Sequence, residues 1–304
     1  MELPEHLQPK INFTRSFTLF YIATAYLVSV ALAWTVNSLL IREQDPLKGF
    51  FCINTLASLF LWFWNRPFRF PFLMECYPML APVFYMVYWQ SWIESTGAYH
   101  DPLPNLITFF LIGLWSIRKL AFWLRSWNIY RDAAARYVSV TKHPVAESFM
   151  YGFFHFLLMP ASLAALYSSL KAVVQRETTL SLTDMVGLAL GLAAVLWDSV
   201  AEQQKLLHES QHKMQVRWKQ SGLWRWVRYP EHGGFLLFGV ALLFFTDQPP
   251  GRLVLPLGGL AAYYLYLRVW IVPLCDRRWL KLRSDYQAYR RSRPPLLPIA
   301  FLRL

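Results

Sequence analysis

The chain has 304 residues, of which 56% are hydrophobic and 17% aromatic, more apolar surface than a soluble fold of this length buries, so a bilayer is its expected solvent. Its formal net charge of +12 comes with no soluble module of basic and stacking residues, which excludes nucleic acid as a partner. Three scattered cysteines, Cys52, Cys76 and Cys275, have neither disulfide-framework nor metal-ligand spacing and leave the redox compartment open.

In chain order, apolar windows fall at 17–40, 49–64, 77–92, 104–123, 148–170, 180–197, 235–245 and 253–274. The first holds no charge and is too long for a removable signal peptide, and Glu2 and Glu5 make the stretch before it too acidic for a transit peptide. The seventh is short; it pairs with the eighth across Thr246-Asp247-Gln248-Pro249-Pro250-Gly251, a strong turn signal. With all eight crossing, one side of the membrane carries 25 of the lysines and arginines and the other 5. That asymmetry obeys the positive-inside rule. It places the basic face and both termini on the matrix or cytosolic side, in the mitochondrial inner membrane or the endoplasmic reticulum. The expected fold is all-α: a single polytopic transmembrane bundle, 1–304, of about seven or eight membrane helices, with a membrane-proximal amphipathic helix and a short basic C-terminal tail.

Two ionisable groups fall in or near these windows. Arg118 lies near a helix end and can snorkel to the headgroups. His155 lies deeper, near Pro160, which should kink its helix; an intramembrane histidine is either functional or hydrogen-bonded to a neighbouring helix.

The densest polar chemistry lies between 198 and 235. Asp198, Glu202, Lys205, Glu209 and Lys213 recur at helical spacing, so the sixth helix should continue past the membrane surface. Within it, His208-Glu209-Ser210-Gln211-His212 fits the zincin pattern, in which two histidines one turn apart hold zinc and the glutamate activates water. No third ligand is evident, and an amphipathic segment is expected to carry such residues anyway. Further on, Trp224-Arg225-Trp226 and Arg228-Tyr229-Pro230-Glu231-His232-Gly233-Gly234 combine cations with rings, a pattern suited either to a phosphate and a stacked planar group or to anchoring in lipid headgroups.

The run Ala201-Glu202-Gln203-Gln204-Lys205, then Gly222-Leu223-Trp224-Arg225-Trp226 and Arg228-Tyr229-Pro230, resembles the steroid 5-alpha-reductase C-terminal-like family of membrane reductases. The tail agrees, since Ser284-Asp285-Tyr286-Gln287-Ala288-Tyr289-Arg290-Arg291 followed by Pro294-Pro295-Leu296-Leu297-Pro298 is similar to that family's closing D-Y-x-x-Y-x-R-R and A-L-I-P. Isoprenylcysteine carboxyl methyltransferases and sterol C14 reductases end in a similar way. The likeness covers roughly 77–301 and is strongest after 190; the spans within 1–75 are not diagnostic.

The resemblance implies an NADPH site on the charged face and hydride reduction of a conjugated carbon–carbon double bond. It assigns cofactor contacts to Glu202, Gln204, Lys205, Trp224, Arg228, Glu231, Asp276 and Arg278, and carbonyl polarisation to Tyr229 or Tyr286. Several positions depart from the family pattern. R-H-P-N-Y-x-G-E reads here Arg228-Tyr229-Pro230-Glu231-His232-Gly233-Gly234-Phe235, and Leu274-Cys275-Asp276-Arg277-Arg278 stands where M-E-E-R is usual. An amide that donates and accepts has become the acceptor-only Glu231, which when ionised repels a pyrophosphate. Two functions follow: a reductase of a lipid or steroid-like enone, or a scaffold that has lost catalysis and serves as an accessory subunit of a larger membrane complex, docking other subunits or anionic lipid such as cardiolipin. Zinc hydrolysis and methyl transfer are minor alternatives.

Overall fold

The computed structural model describes residues 15–41, 45–64, 72–97, 102–125, 150, 152–211, 220–282 and 285–297. Among them every regular element is helical, because a bilayer offers no water to backbone groups and a spanning segment must bond its own. Helix α1 (Arg15–Val36) runs into a π-helical turn, Asn37–Ile41; α2 is Pro46–Trp64, α3 Phe72–Thr96 and α4 Pro102–Arg125. Helix α5 consists of three consecutive pieces, the π-helical Phe153–Leu158, then Met159–Tyr167 and Ser169–Val174. Helix α6 (Leu182–Gln211) carries on past its apolar window, as the charge spacing predicts, and a 3-10 turn, Gly222–Arg225, precedes α7 (Pro230–Phe244). Helix α8 runs as Val254–Tyr266, the π-helical Leu267–Ile271 and Val272–Leu282, and α9 is Tyr286–Ser292.

Six of the described helices are long and apolar enough to cross a membrane, and the chain is a multi-pass membrane protein. Two of the eight windows fall short of that standard. Helix α3 has 25 residues but is diluted by Glu75, Pro78, Pro82 and Glu94. Helix α7 has 15 residues, which reach about 22 Å against a hydrocarbon core of about 30 Å.

Two compact units are present, one within Met1–Thr179 and Thr246–Tyr263, the other within Leu180–Phe245 and Tyr264–Leu304. In the first, Thr18, Ile22, Ala25, Ser29 and Ala33 recur at helical spacing and are buried, while Phe20 and Leu27 are left exposed, to lipid. That small face packs on α2. The Tyr21 and Tyr26 hydroxyls donate to the carbonyls of Trp64 and Leu73, each at 2.6 Å. Helix α2 begins at Asp45, whose Oδ1 accepts from the N–H groups of Leu47 (2.9 Å) and Lys48 (3.1 Å), with Pro46 as first helical residue. These bonds, that of Lys48 foremost, hold the Asp45 carboxyl below its usual range.

The interior of this unit is polar at one place. Asn54 of α2 accepts from the hydroxyls of Tyr77 and Tyr85 of α3, and its Nδ2 donates to the Pro160 carbonyl of α5 at 3.1 Å. Pro160 lacks an N–H and crowds the carbonyl four residues back. The π-helical turn before it answers this, with the Met159 N–H reaching back five residues to the Phe154 carbonyl. The disturbance expected at Pro160 takes that form, and His155 is buried within the turn. Gly259 of α8 lies against α5, where a Cβ would stand 2.3 Å from the Leu166 nitrogen and 2.6 Å from the Ser162 carbonyl oxygen.

In the second unit α6 and α7 form an antiparallel hairpin held close by glycines. A Cβ on Gly187 would meet the Cβ of Phe244 at 2.9 Å, and one on Gly234 would meet the Cβ of Asp198 at 2.8 Å. This hairpin, the end of α8 and α9 together carry the candidate site.

Candidate functional site

The segment after α6 is built to return the chain closely. Gly222 has φ +64°, and a Cβ there would fall 2.3 Å from Gln204 Oε1, so this position needs glycine. Gln204 Oε1 accepts the Leu223 N–H at 3.0 Å, and the buried Trp224 donates Nε1 to the Ala201 carbonyl at 3.0 Å. Tyr289 of α9 donates its hydroxyl to the carbonyls of Trp224 (2.5 Å) and Val227 (3.1 Å). The N–H groups of Arg228 and Tyr229 bond to the carbonyls of Pro294 (3.0 Å) and Pro295 (2.9 Å), which fastens the tail along the entrance to α7. A Cβ on Gly233 would lie 2.6 Å from the Leu296 carbonyl oxygen, so the tail also depends on that glycine.

At the centre is Asp276, near the end of α8. Its Oδ2 accepts from Arg228 Nη1 at 2.5 Å and pairs with Arg290 Nε at 3.2 Å. Its Oδ1 accepts from the hydroxyls of Tyr229 (2.8 Å) and Tyr286 (2.5 Å), which lie 2.8 Å from each other. Burial pushes both phenols up from their ordinary value, and Asp276 and the neighbouring phenol contribute further at Tyr229. Burial works against the Arg228 charge, but Asp276 outweighs it and raises the guanidinium. The cluster is therefore one carboxylate, two arginines and two phenols that keep their protons.

Beside it, Lys205 Nζ pairs with Glu231 Oε1 at 3.2 Å and lies 5.5 Å from the centroid of the Trp224 ring. Glu231 stands in the first turn of α7, where a negative charge suits the helix dipole. Its Oε2 and Arg228 Nε are buried with no hydrogen-bond partner among the described residues.

The sequence profile of a family described as Protein of unknown function (DUF1295) matches residues 75–293, well over half of the chain. The chain belongs to the DUF1295 family. No curated protein and no solved structure matches it. DUF1295 lies in the steroid 5-alpha-reductase-like clan, so the resemblance drawn from the motifs holds at that level.

In this DUF1295 protein, then, the predicted residues fall into two adjoining groups: Arg228, Tyr229, Asp276 and Tyr286 share one carboxylate, and Lys205, Trp224 and Glu231 form the other. Gln204 serves the backbone of Leu223, and Glu202 is buried on α6. The side chain of Arg278 lies outside the described residues. So do His212 and the side chain of Glu209, and among the described residues no group of three or more His, Cys, Asp or Glu stands together to hold a metal. Arg290 and Tyr289 were not singled out from the sequence, although the closing D-Y-x-x-Y-x-R-R contains both. Asn54 was missed too; the signal was a carboxamide in an apolar window with two tyrosines at 77 and 85 in the next.

Proposed function

We propose that this DUF1295 protein is a reductase-like membrane scaffold that no longer transfers hydride and works as an accessory subunit of a larger membrane assembly. The observation that carries this reading is that two of the cations assigned to the nucleotide already sit against carboxylates of the chain. Arg228 is held by Asp276 and Lys205 by Glu231, so both guanidinium and ammonium already have counter-ions from the chain. The donor set does not fit the phosphates of NADPH. An ionised Glu231 at the start of α7 stands where a phosphate would be drawn by the helix dipole, and like charges repel. Arg228 Nε has no partner among the described residues, but it belongs to a guanidinium whose charge Asp276 already balances. The tyrosines support the same reading, since each directs its proton at Asp276.

The test is titration of NADPH into the purified protein, followed by nucleotide fluorescence, together with mild-detergent isolation from its native membrane. No saturable binding and co-isolation with other membrane subunits is the expected result. Stoichiometric NADPH at micromolar affinity would overturn the proposal. A second reading, reduction of a lipid or steroid-like enone, is favoured by one observation, the pair of protonated phenols at a buried carboxylate. It requires enone turnover that Tyr229→Phe or Tyr286→Phe lowers severely, and no turnover in the intact protein rejects it.

A further inference from the structure

Outside that cluster, the same end of the second unit presents cations that no described residue balances. Arg225, Arg277 and Arg291 are exposed, and none has a hydrogen bond, ion pair or ring contact among the described residues. Their placement is fixed by the contacts already described. Tyr289 bonds the carbonyls of Trp224 and Val227, which brings α9, the helix that carries Arg290 and Arg291, against the segment that carries Arg225 and Trp226. The Arg290–Asp276 pair brings in the end of α8, where Arg277 is next in the chain. Among these arginines Trp226 stands 62% exposed, while its neighbours Trp224 and Val227 are buried.

This patch also has a definite depth. The spanning stretches of α6 and α8 end at His208 and Arg277, and the patch is built from Arg277 itself and from segments just beyond those ends. An exposed indole there sits in the interfacial belt, with unpaired arginines at headgroup level.

We infer that Arg225, Trp226, Arg277 and Arg291 form a docking surface for the headgroups of anionic phospholipids in the membrane the protein occupies. Trp226 enters the boundary between headgroups and acyl chains, and the guanidiniums donate forked pairs of N–H bonds to phosphodiester oxygens. A lipid is the partner that fits, because a soluble anion would use the arginines and leave the indole uncovered. The inference is independent of whether NADPH binds, since these four residues belong to neither adjoining group of the cluster.

Thermal unfolding of the delipidated protein in neutral detergent, with added lipid, tests it. Phosphatidylglycerol should raise the midpoint by several degrees at low salt, and phosphatidylcholine should not. The shift should shrink as salt is added. In the variant carrying Arg225→Gln, Trp226→Ala and Arg291→Gln the phosphatidylglycerol shift should fall by more than half, with an unchanged midpoint in neutral detergent alone. Equal shifts with the two lipids, or a full shift in the triple variant, overturn the inference. So does an equal shift from inorganic phosphate or pyrophosphate, which would make this a site for a free anion. If the variant melts early without lipid, Trp226→Ala alone, read as loss of lipid-dependent quenching of the remaining spectrum, decides between the same outcomes.

Discussion

Asp276→Asn separates charge from shape at the centre of the second unit. The amide oxygen can still accept from Tyr229 and Tyr286, but the counter-ion of Arg228 is gone, and the Arg228 side chain is only 6% exposed. Breaking a buried pair by removing one partner costs about 3–5 kcal/mol. For a chain of this size each kcal/mol moves the midpoint by roughly 2–4 °C, so a loss of about 6–20 °C is expected. The assay is thermal unfolding in detergent followed by tryptophan fluorescence, which reports on the buried Trp224 packed with Tyr286 and Tyr289. The double variant Arg228→Met, Asp276→Asn should regain much of the loss, since it removes the uncompensated guanidinium while the amide oxygen still accepts from Tyr229 and Tyr286. Asp276→Asn melting within about one degree of the parent refutes the reasoning, because it would mean solvent already screens the pair. A double variant no better than the sum of the two single changes refutes it equally.

Three further outcomes are expected. Gly259→Ala should destabilise the first unit by about 1–3 kcal/mol, because the atoms in the way, the Leu166 nitrogen and Ser162 oxygen, are backbone and cannot swing aside; an unchanged melting midpoint contradicts that close approach. Burial raises the Tyr229 and Tyr286 phenols, so the folded state holds their protons above the ordinary tyrosine value of about 10 while the unfolded chain releases them. Stability from this source is fully present below about pH 10 and declines as pH rises through the raised values, and Tyr286→Phe should flatten that decline in a series of melts; a slope identical to the parent's tells against it. Glu231→Gln removes the counter-ion of Lys205 and the charge at the start of α7. It should lower stability and give measurable pyrophosphate binding by calorimetry where the parent has none, and no gain in binding means that Glu231 does not hold the anion's place.

How much of this was legible beforehand depended on the range of the interaction concerned. Helices α1, α2, α4, α5, α6 and α8 could be read directly, because a bilayer imposes length and apolarity on each stretch separately. Of the two marginal windows, α7 is marked in the sequence by its short run, whereas α3 reads there as an ordinary span and falls short through Glu75, Pro78, Pro82 and Glu94. Pro160 announced a disturbance but not its form, since a π-helical turn is one of several ways to relieve the same clash. The cluster on Asp276 was less accessible. Its members lie 47, 48 and 10 residues away at Tyr229, Arg228 and Tyr286, and no periodicity links them. Each was marked by motif, Arg228 and Asp276 as nucleotide ligands and the two tyrosines as polarisers of a substrate carbonyl, but their mutual bonding required coordinates. Asn54 was hidden for a related reason, because a single amide in an apolar window looks like a tolerated exception until two tyrosines of another helix are placed on it.

The wiring of Arg228 to Asp276 has a consequence for how the protein is made. A membrane protein is synthesised from its N-terminus, so the α6–α7 hairpin is complete before Asp276, the counter-ion that lies 48 residues beyond Arg228, has been joined to the chain. The backbone partners of Arg228 and Tyr229, at Pro294 and Pro295, come later still. During that interval the insertion machinery or the headgroups must supply a stand-in for Asp276. Synthesis of the chain through Pro295, rather than insertion of the hairpin, is then the step after which this half of the molecule can reach its final form.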